Sequence, residues 1–133
     1  MIDDHLYYYR AIVTRVIDGD TVVCDIDQGM HDWKHDQRIR MLGINTPEIR
    51  GPEKEKGREA TDFLKGMLGM DVSKPAGPAN IILQTHKDKT GKYGRWLGTL
   101  WIDFDLLNLG TDPDGWVNVN EEMIGSGHAV RTD

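Results

Sequence analysis

Apolar and polar residues alternate with a period of two along several segments of the chain, which predicts β-strands. In the clearest segment Val22, Cys24 and Ile26 would share one buried face. Residues 28–36 and 86–94 are polar or glycine-rich and are predicted to be connections. The pattern predicts five strands, at residues 7–17, 21–27, 37–44, 81–85 and 95–102.

A helical period replaces the strand pattern after the third predicted strand. Apolar residues then form one helical stripe at Ala60, Phe63, Leu64, Met67 and Leu68. A second, short helix is predicted from Asn118, because Asn118 and Glu121 have capping-box spacing and Gly127 is a common stop. The predicted order is three strands, a helix, two strands and a short C-terminal helix. This is the order of a five-stranded OB-type Greek-key barrel. The sequence therefore predicts a mainly β, α+β fold.

Length and charge limit the classes of function. The chain has 133 residues, which indicates a single domain over residues 1–133. Its formal net charge is −6, whereas nucleic-acid binders are often basic. The acidic side chains are concentrated in residues 103–122, which contain no Lys or Arg. Because the local field steers an anionic ligand, a basic surface elsewhere would still suit nucleic acid.

Cysteine content and hydropathy bear on the compartment. Cys24 is the only cysteine, which excludes an intramolecular disulfide and a cysteine-based zinc site. No apolar run reaches the roughly 18 residues of a membrane span. The acidic N-terminus lacks the apolar core of a signal peptide. We therefore expect a cytoplasmic protein without a membrane partner, and by default a monomer.

Polar residues cluster where the fold alone does not demand them. They stand at residues 18–21 (Asp-Gly-Asp-Thr), at Arg40, at residues 45–48 (Asn-Thr-Pro-Glu) and at residues 92–95 (Lys-Tyr-Gly-Arg). If the first three strands form a meander, the turn that contains Asp20 and the turn at residues 45–48 would build one rim. Arg50, Lys54, Lys56 and Arg58 follow among acidic residues and fit either a solvated loop or a contact with a nucleic-acid strand.

The order of four motifs identifies a family resemblance. The motifs are "VIDGDTV" (16–22), "RMLGINTPE" (40–48), "KYGRWLG" (92–98) and "VNEEMIGSGHA" (119–129). Together they resemble the staphylococcal-nuclease-like, or thermonuclease, family over roughly residues 10–130. The resemblance implies a metal-dependent nuclease that hydrolyses DNA or RNA with low sequence specificity and leaves 3′-phosphates. Such an enzyme would threaten its host from within, so a viral or mobile-element origin would fit.

The resemblance also implies a metal site. Asp20 matches a metal-binding aspartate, and Thr46 matches a residue that offers its backbone carbonyl. Asn45 stands where the family often has a second aspartate. The implied cofactor is one divalent cation, Ca²⁺ first, with Mg²⁺ or Mn²⁺ as alternatives. Since the number of ligand charges tunes affinity, Asn45 should weaken cation binding.

The remaining matches imply catalytic and substrate-binding roles. Arg40 and Arg95 match the two arginines on the scissile phosphate, and a guanidinium can grip two phosphoryl oxygens at once. Glu48 matches the carboxylate that activates or orients the attacking water. Lys92 and Tyr93 match residues that contact the phosphate groups of the nucleotide. The alternative is a catalytically weak or inactive OB-fold module that binds nucleic acid or serves as a scaffold.

Overall fold

The computed structural model describes residues 6–70, 79–90, 96–103 and 115–132. The strands are β1 (Tyr8–Asp18), β2 (Thr21–Asp27), β3 (Trp33–Met41), β4 (Ile44–Asn45), β5 (Ala79–Thr90), β6 (Trp96–Asp103), β7 (Trp116–Asn118) and β8 (Val130–Arg131). The helices are α1 (Lys54–Met67), which follows a short 3₁₀ turn (Gly51–Glu53), and α2 (Val119–Gly125). No helix in these ranges is long and apolar enough to cross a membrane.

The main sheet closes on itself. Its strands run in the order β3-β2-β1-β5-β6-β7 with antiparallel neighbours, and β3 also pairs in parallel with β6. The closing register sets Ile39 beside Trp96 and Met41 beside Gly98. The predicted five-stranded barrel is thus confirmed, with β1, β2, β3, β5 and β6 as its strands. The predicted helix between the third and fourth of these strands is α1.

The barrel interior follows the alternation in the sequence. Cys24 is fully buried between Val22 and Ile26, as predicted for a core residue. On β3 the buried residues Ile39 and Met41 alternate with Arg38 and Arg40. The helical stripe is also confirmed, because α1 buries Ala60, Leu64 and Met67, and Phe63 packs partly buried against the same core. Leu68 is buried just beyond the last helical residue.

Several predicted boundaries were wrong. Strand β3 begins at Trp33 rather than at residue 37, and residues 33–36 are all exposed. This part of the β2–β3 hairpin has solvent on both faces, so alternation is lost although the strands pair, with Asp27 beside Trp33. Strand β5 likewise continues to Thr90, which pairs with Trp96, instead of ending at residue 85.

Two further boundaries differ from the prediction: the end of the third strand and the start of the long helix. The third strand ends at Met41 because Gly43, at φ 81°, turns the chain into the separate short strand β4. Helix α1 begins at Lys54, before the apolar stripe that predicted it. Its first residues are exposed and carry no apolar period, so the sequence pattern does not mark this start.

The short C-terminal helix is held by two asparagines. Asn118 is its N-cap, and its side chain accepts a hydrogen bond from the backbone N–H of Glu121 at 3.1 Å, as predicted. The Glu121 carboxylate does not complete a capping box, because it forms a two-pronged pair with Arg131. Asn120 is 3% exposed and reaches into the barrel.

The Asn120 amide joins α2 to the seam where the barrel closes. Its Nδ2 donates to the carbonyls of Leu42 at 2.9 Å and Gly98 at 3.1 Å. Its Oδ1 accepts from the backbone N–H of Leu100 at 3.1 Å. Both the nitrogen and the oxygen of this buried amide are therefore hydrogen-bonded, which offsets the cost of burying them. This role of Asn120 was not predicted from the sequence.

Candidate active site

Two loops far apart in sequence meet at Asp20. This residue ends the turn between β1 and β2 and is only 7% exposed. Its Oδ2 accepts a hydrogen bond from the backbone N–H of Thr46 at 3.0 Å, and its Oδ1 accepts from the hydroxyl of Thr21 at 3.1 Å. The predicted rim between the Asp20 turn and residues 45–48 therefore exists.

Gly19 allows this junction to be tight. A Cβ atom at that position would lie 2.9 Å from the Cβ of Ala60 and 3.0 Å from the side chain of Thr46. Only a residue without a side chain lets the turn pack between α1 and Thr46 without displacement.

Arg40 lies at the centre of the rim. The β2–β3 register sets Arg40 beside Thr21, next to the Asp20 turn. Its Nη2 lies 3.2 Å from Oδ2 of Asp20 and donates to Oδ1 of Asn45 at 3.2 Å. Its Nη1 donates to the carbonyl of Met41 at 3.1 Å. Two of the predicted ligand oxygens thus converge on one cationic nitrogen.

Asp18 adds a second carboxyl group beside Asp20. Its Oδ1 accepts from the backbone N–H of Asp20 at 3.1 Å and so fixes the turn. Burial, together with the side-chain hydrogen bond and charge of Asp20, raises the pKa of Asp18 to about 6. The rim is therefore rich in oxygen and carries Arg40 as its counter-charge.

Glu48 is held by its backbone, while its side chain is exposed. Helix α1 lies directly against it, because a Cβ at Gly57 would overlap the Glu48 carbonyl and come within 2.8 Å of the Ile49 nitrogen. With the described residues the Glu48 carboxylate makes no hydrogen bond or ion pair within the usual distance limits. Its carboxylate is therefore free to accept from water.

The C-terminal segment forms a wall on the other side of this turn. Strand β4 pairs with β8, which sets Asn45 beside Val130. A recess of about 260 Å³ lies here, lined by Asn45, Thr46, Pro47, Glu53, Gly127, His128, Ala129 and Val130. The His128 ring packs on Phe63 with a centroid distance of 4.6 Å. The turn at residues 45–48 is thereby supported from two sides, by α1 and by the segment around β8.

Three predicted site residues cannot be compared with the structure. Lys92, Tyr93 and Arg95 lie outside the described residues. The next residue, Trp96, begins β6 beside Ile39 and donates through Nε1 to Gln37 at 3.1 Å.

Sequence reasoning missed two residues that shape the site. The sequence places Thr21 in a predicted turn. The hydrogen bond from its hydroxyl to Asp20 depends on the local conformation, which the sequence pattern does not give. Gly57 was not singled out, although a glycine inside a helix is a signal of close backbone approach.

Across the described part of the chain, no three His, Cys, Asp or Glu side chains are grouped to hold a metal. A cation at the rim would therefore draw at least part of its ligand set from neutral oxygen donors such as Asn45 and Thr46, alongside Asp20.

Comparison with known proteins agrees with this architecture. Residues 38–133 match the family model described as staphylococcal nuclease homologue. The chain is 34% identical over 120 residues to Protein ParB of Escherichia coli, covering 90% of this chain and 55% of that protein. It is 30% identical over 107 residues to the thermonuclease of Staphylococcus intermedius, covering 78% and 55% of the two chains.

A third relative extends the same picture. The thermonuclease of Staphylococcus hyicus is 33% identical over 99 residues, which cover 72% of this chain and 50% of that one. The chain thus spans about half the length of the curated relatives it matches. Because the family model covers well over half of the chain, the protein belongs to the staphylococcal nuclease homologue family.

Proposed function

We propose that this chain is a metal-dependent nuclease that hydrolyses phosphodiester bonds of DNA or RNA with low sequence specificity and leaves 3′-phosphates. The observation that carries the proposal is the hydrogen-bonded rim of Asp20, Arg40, Asn45 and Thr46, followed in the same turn by Glu48, whose carboxylate has no partner among the described residues. Family membership and the two thermonuclease relatives support the same reaction class.

The donor atoms at the rim suit a hard divalent cation. Asp20 offers a carboxylate, Asn45 an amide oxygen and Thr46 a backbone carbonyl, which are the ligand types of Ca²⁺ and Mg²⁺. The side-chain oxygens of Asp20 and Asn45 are already close enough to share one nitrogen of Arg40. A bound cation would act as a Lewis acid on a phosphoryl oxygen. With one carboxylate and neutral donors, we expect modest cation affinity, with Ca²⁺ ahead of Mg²⁺ or Mn²⁺.

Arg40 and Arg95 would stabilise the phosphate. The Arg40 guanidinium is half-buried, where electrostatic interactions are stronger than in bulk water. Its Nη atoms donate to Asp20, Asn45 and Met41 and would exchange some of these acceptors for phosphate oxygens. A planar guanidinium can form two parallel hydrogen bonds to the phosphoryl oxygens and stabilise the negative charge that develops on them. Arg95, which precedes β6, is proposed to act with it, and Lys92 and Tyr93 to contact neighbouring phosphate groups.

Glu48 would handle the attacking water. An exposed carboxylate without a partner in the described part of the chain can accept a proton from water or orient it. Gly57 packs closely against the backbone of Glu48 and so restricts the position of the Glu48 Cα atom. The substrate would thus meet a phosphate site at the rim and, next to it, a carboxylate carried by a backbone that α1 holds in place.

A cleavage assay on single-stranded DNA with and without EDTA tests the proposal. We expect wild-type protein to cut in Ca²⁺ and to stop in EDTA. Glu48→Gln should lower the rate by roughly 10²–10⁴-fold, the usual contribution of a general base, with an unchanged melting temperature. Glu59→Gln, an exposed residue of α1, is the matched control and should retain full activity. If wild-type protein shows no EDTA-sensitive cleavage, the catalytically inactive binding or scaffold module replaces the nuclease.

A further inference from the structure

Another groove lies between α1, the end of β1 and residues 49–50. Its volume is about 430 Å³. We call it the basic groove and define it by its lining residues Val16, Ile17, Ile49, Arg50, Arg58, Thr61, Asp62 and Lys65. Arg50 and Arg58 belong to the basic stretch for which the sequence left a solvated loop and a nucleic-acid contact open.

The basic groove carries a local positive charge in an acidic protein. Arg50, Arg58 and Lys65 face it with Asp62 as the one carboxylate. None of these four side chains forms an ion pair with another of the described residues. Unpaired cations lining a concave surface attract anions, even though the whole chain has a formal net charge of −6.

Two lining residues of the groove are sequence neighbours of candidate-site residues. Ile17 directly precedes Asp18 at the end of β1, and Ile49 directly follows Glu48. Arg58 follows Gly57, the glycine that packs against the Glu48 backbone. A strand that leaves the site past Glu48 would therefore enter the basic groove.

The spacing along α1 suits a polyanion. Arg58, Thr61, Asp62 and Lys65 fall at i, i+3, i+4 and i+7 and share one helix face. Arg58 and Lys65 are about 10 Å apart along the helix axis at 1.5 Å per residue. That length exceeds the distance between neighbouring phosphates of one strand. The half-buried Ile17 and Ile49 add apolar surface for a sugar or base.

We propose that the basic groove binds the phosphates of the substrate strand next to the scissile phosphodiester bond. This inference rests on the proposed nuclease function and assigns the path of its substrate. It also separates the basic residues that follow Glu48 into two groups. Arg50 and Arg58 line the groove, whereas Lys54 and Lys56 are exposed on the same stretch of chain and do not.

This separation supplies a matched pair of variants for a binding experiment. Arg58→Gln with Lys65→Gln removes two groove charges, and Lys54→Gln with Lys56→Gln removes two charges of the same helix outside the groove. Binding of a labelled single strand of about 12 nucleotides is measured by fluorescence anisotropy in EDTA over a range of salt concentrations. The groove variant should weaken binding about tenfold at low salt and reduce the salt slope by about 1.4, at roughly 0.7 per phosphate contact. The control variant should change the affinity less than about twofold.

Steady-state cleavage gives an independent readout. The groove variant should raise KM on the long strand and leave kcat unchanged. A dinucleotide has no phosphate beyond the scissile one, so both variants should cleave it as wild type does. Asp62→Asn removes the opposing carboxylate and should tighten binding of the long strand. Thermal melting of each variant checks that the fold is kept.

Each result decides between the two proposals. If both double variants weaken binding equally, only net charge matters and the basic groove is not a binding site. If the groove variant binds and cleaves the long strand as wild type does, the inference is wrong while the nuclease stands. If wild-type protein neither binds nor cleaves a strand, the proposed function fails, and the inference fails with it.

Discussion

Arg40 and Asp20 form an ion pair at the rim of the barrel, with Nη2 of the guanidinium 3.2 Å from Oδ2 of the carboxylate. Both side chains are largely shielded from solvent. The same nitrogen also binds Asn45, so an arginine now lies between two oxygens proposed to hold a cation. A divalent ion and this guanidinium would therefore compete for the same oxygens.

Removing that competitor should separate cation binding from catalysis. We expect Arg40→Gln to bind Ca²⁺ about tenfold more tightly, since one nearby positive charge is lost, and to lose nearly all cleavage activity. Isothermal titration calorimetry measures the affinity. Arg38→Gln is the control, because it removes the same charge from an exposed position two residues along β3 and should change neither quantity appreciably. Unchanged Ca²⁺ affinity in Arg40→Gln would contradict a shared site.

Asn45→Asp adds a carboxylate where an amide now faces Arg40. Because ligand charge tunes the affinity of oxygen sites, we expect Ca²⁺ binding to tighten by about tenfold. Asn118→Asp is the control, since Asp caps a helix as well as Asn does and this position is remote in sequence from the rim. Equal calorimetric affinities for Asn45→Asp and wild type would show that residue 45 is not a ligand.

Gly57→Ala tests whether α1 sets the position of Glu48. A Cβ at residue 57 would overlap the Glu48 carbonyl, so the helix or the loop must shift. We expect a loss of about 1–3 kcal/mol in the free energy of unfolding, typical of overpacking, and reduced cleavage. Gly66→Ala lies in the same helix with open space around the new methyl group and should stabilise the protein by about 0.5–1 kcal/mol. Urea unfolding compares the two, and equal stabilities would refute the contact.

Cys24 should be chemically silent and should make stability depend on alkaline pH. Burial and, to a smaller degree, the charge of Asp25 raise the pKa of the Cys24 thiol to about 12. The folded protein holds this proton more tightly than the unfolded chain, so its contribution is present below the ordinary pKa of 9.0 and is lost as pH rises towards 12. Cys24→Ala should flatten that part of the profile of unfolding free energy against pH. Ellman's reagent should label the wild-type thiol only in denaturant, and rapid labelling of folded protein at pH 8 would contradict its burial.

The barrel could be predicted from sequence where one face of a strand is buried. Val22, Cys24 and Ile26 carry the alternation because they face the core. Residues 33–36 gave no such signal because the β2–β3 hairpin exposes both faces there. A period of two reports one-sided burial and not backbone pairing, so solvated strand ends are systematically missed.

The site followed a different rule. The motifs supplied positions, and the structure brings Asp20, Arg40, Asn45 and Thr46 together. The ion pair of Arg40 with Asp20 and the contact between Gly57 and Glu48 could not be read from the motifs, because partners distant in sequence are chosen by the tertiary fold. The metal-binding, catalytic and substrate-binding roles of all the site residues stay predictions, as do the preferred metal and the monomeric state.

Asn120 has a consequence for the order of biosynthesis. Its amide joins the Leu42 turn to β6 at the parallel seam, where three pairs of β3 and β6 lie within the described residues. A nascent chain that has released β3 and β6 from the ribosome still lacks this amide. We therefore expect the rim to become rigid only after translation has passed α2, so in an incomplete chain the residues proposed to act on the phosphodiester would not yet be held together.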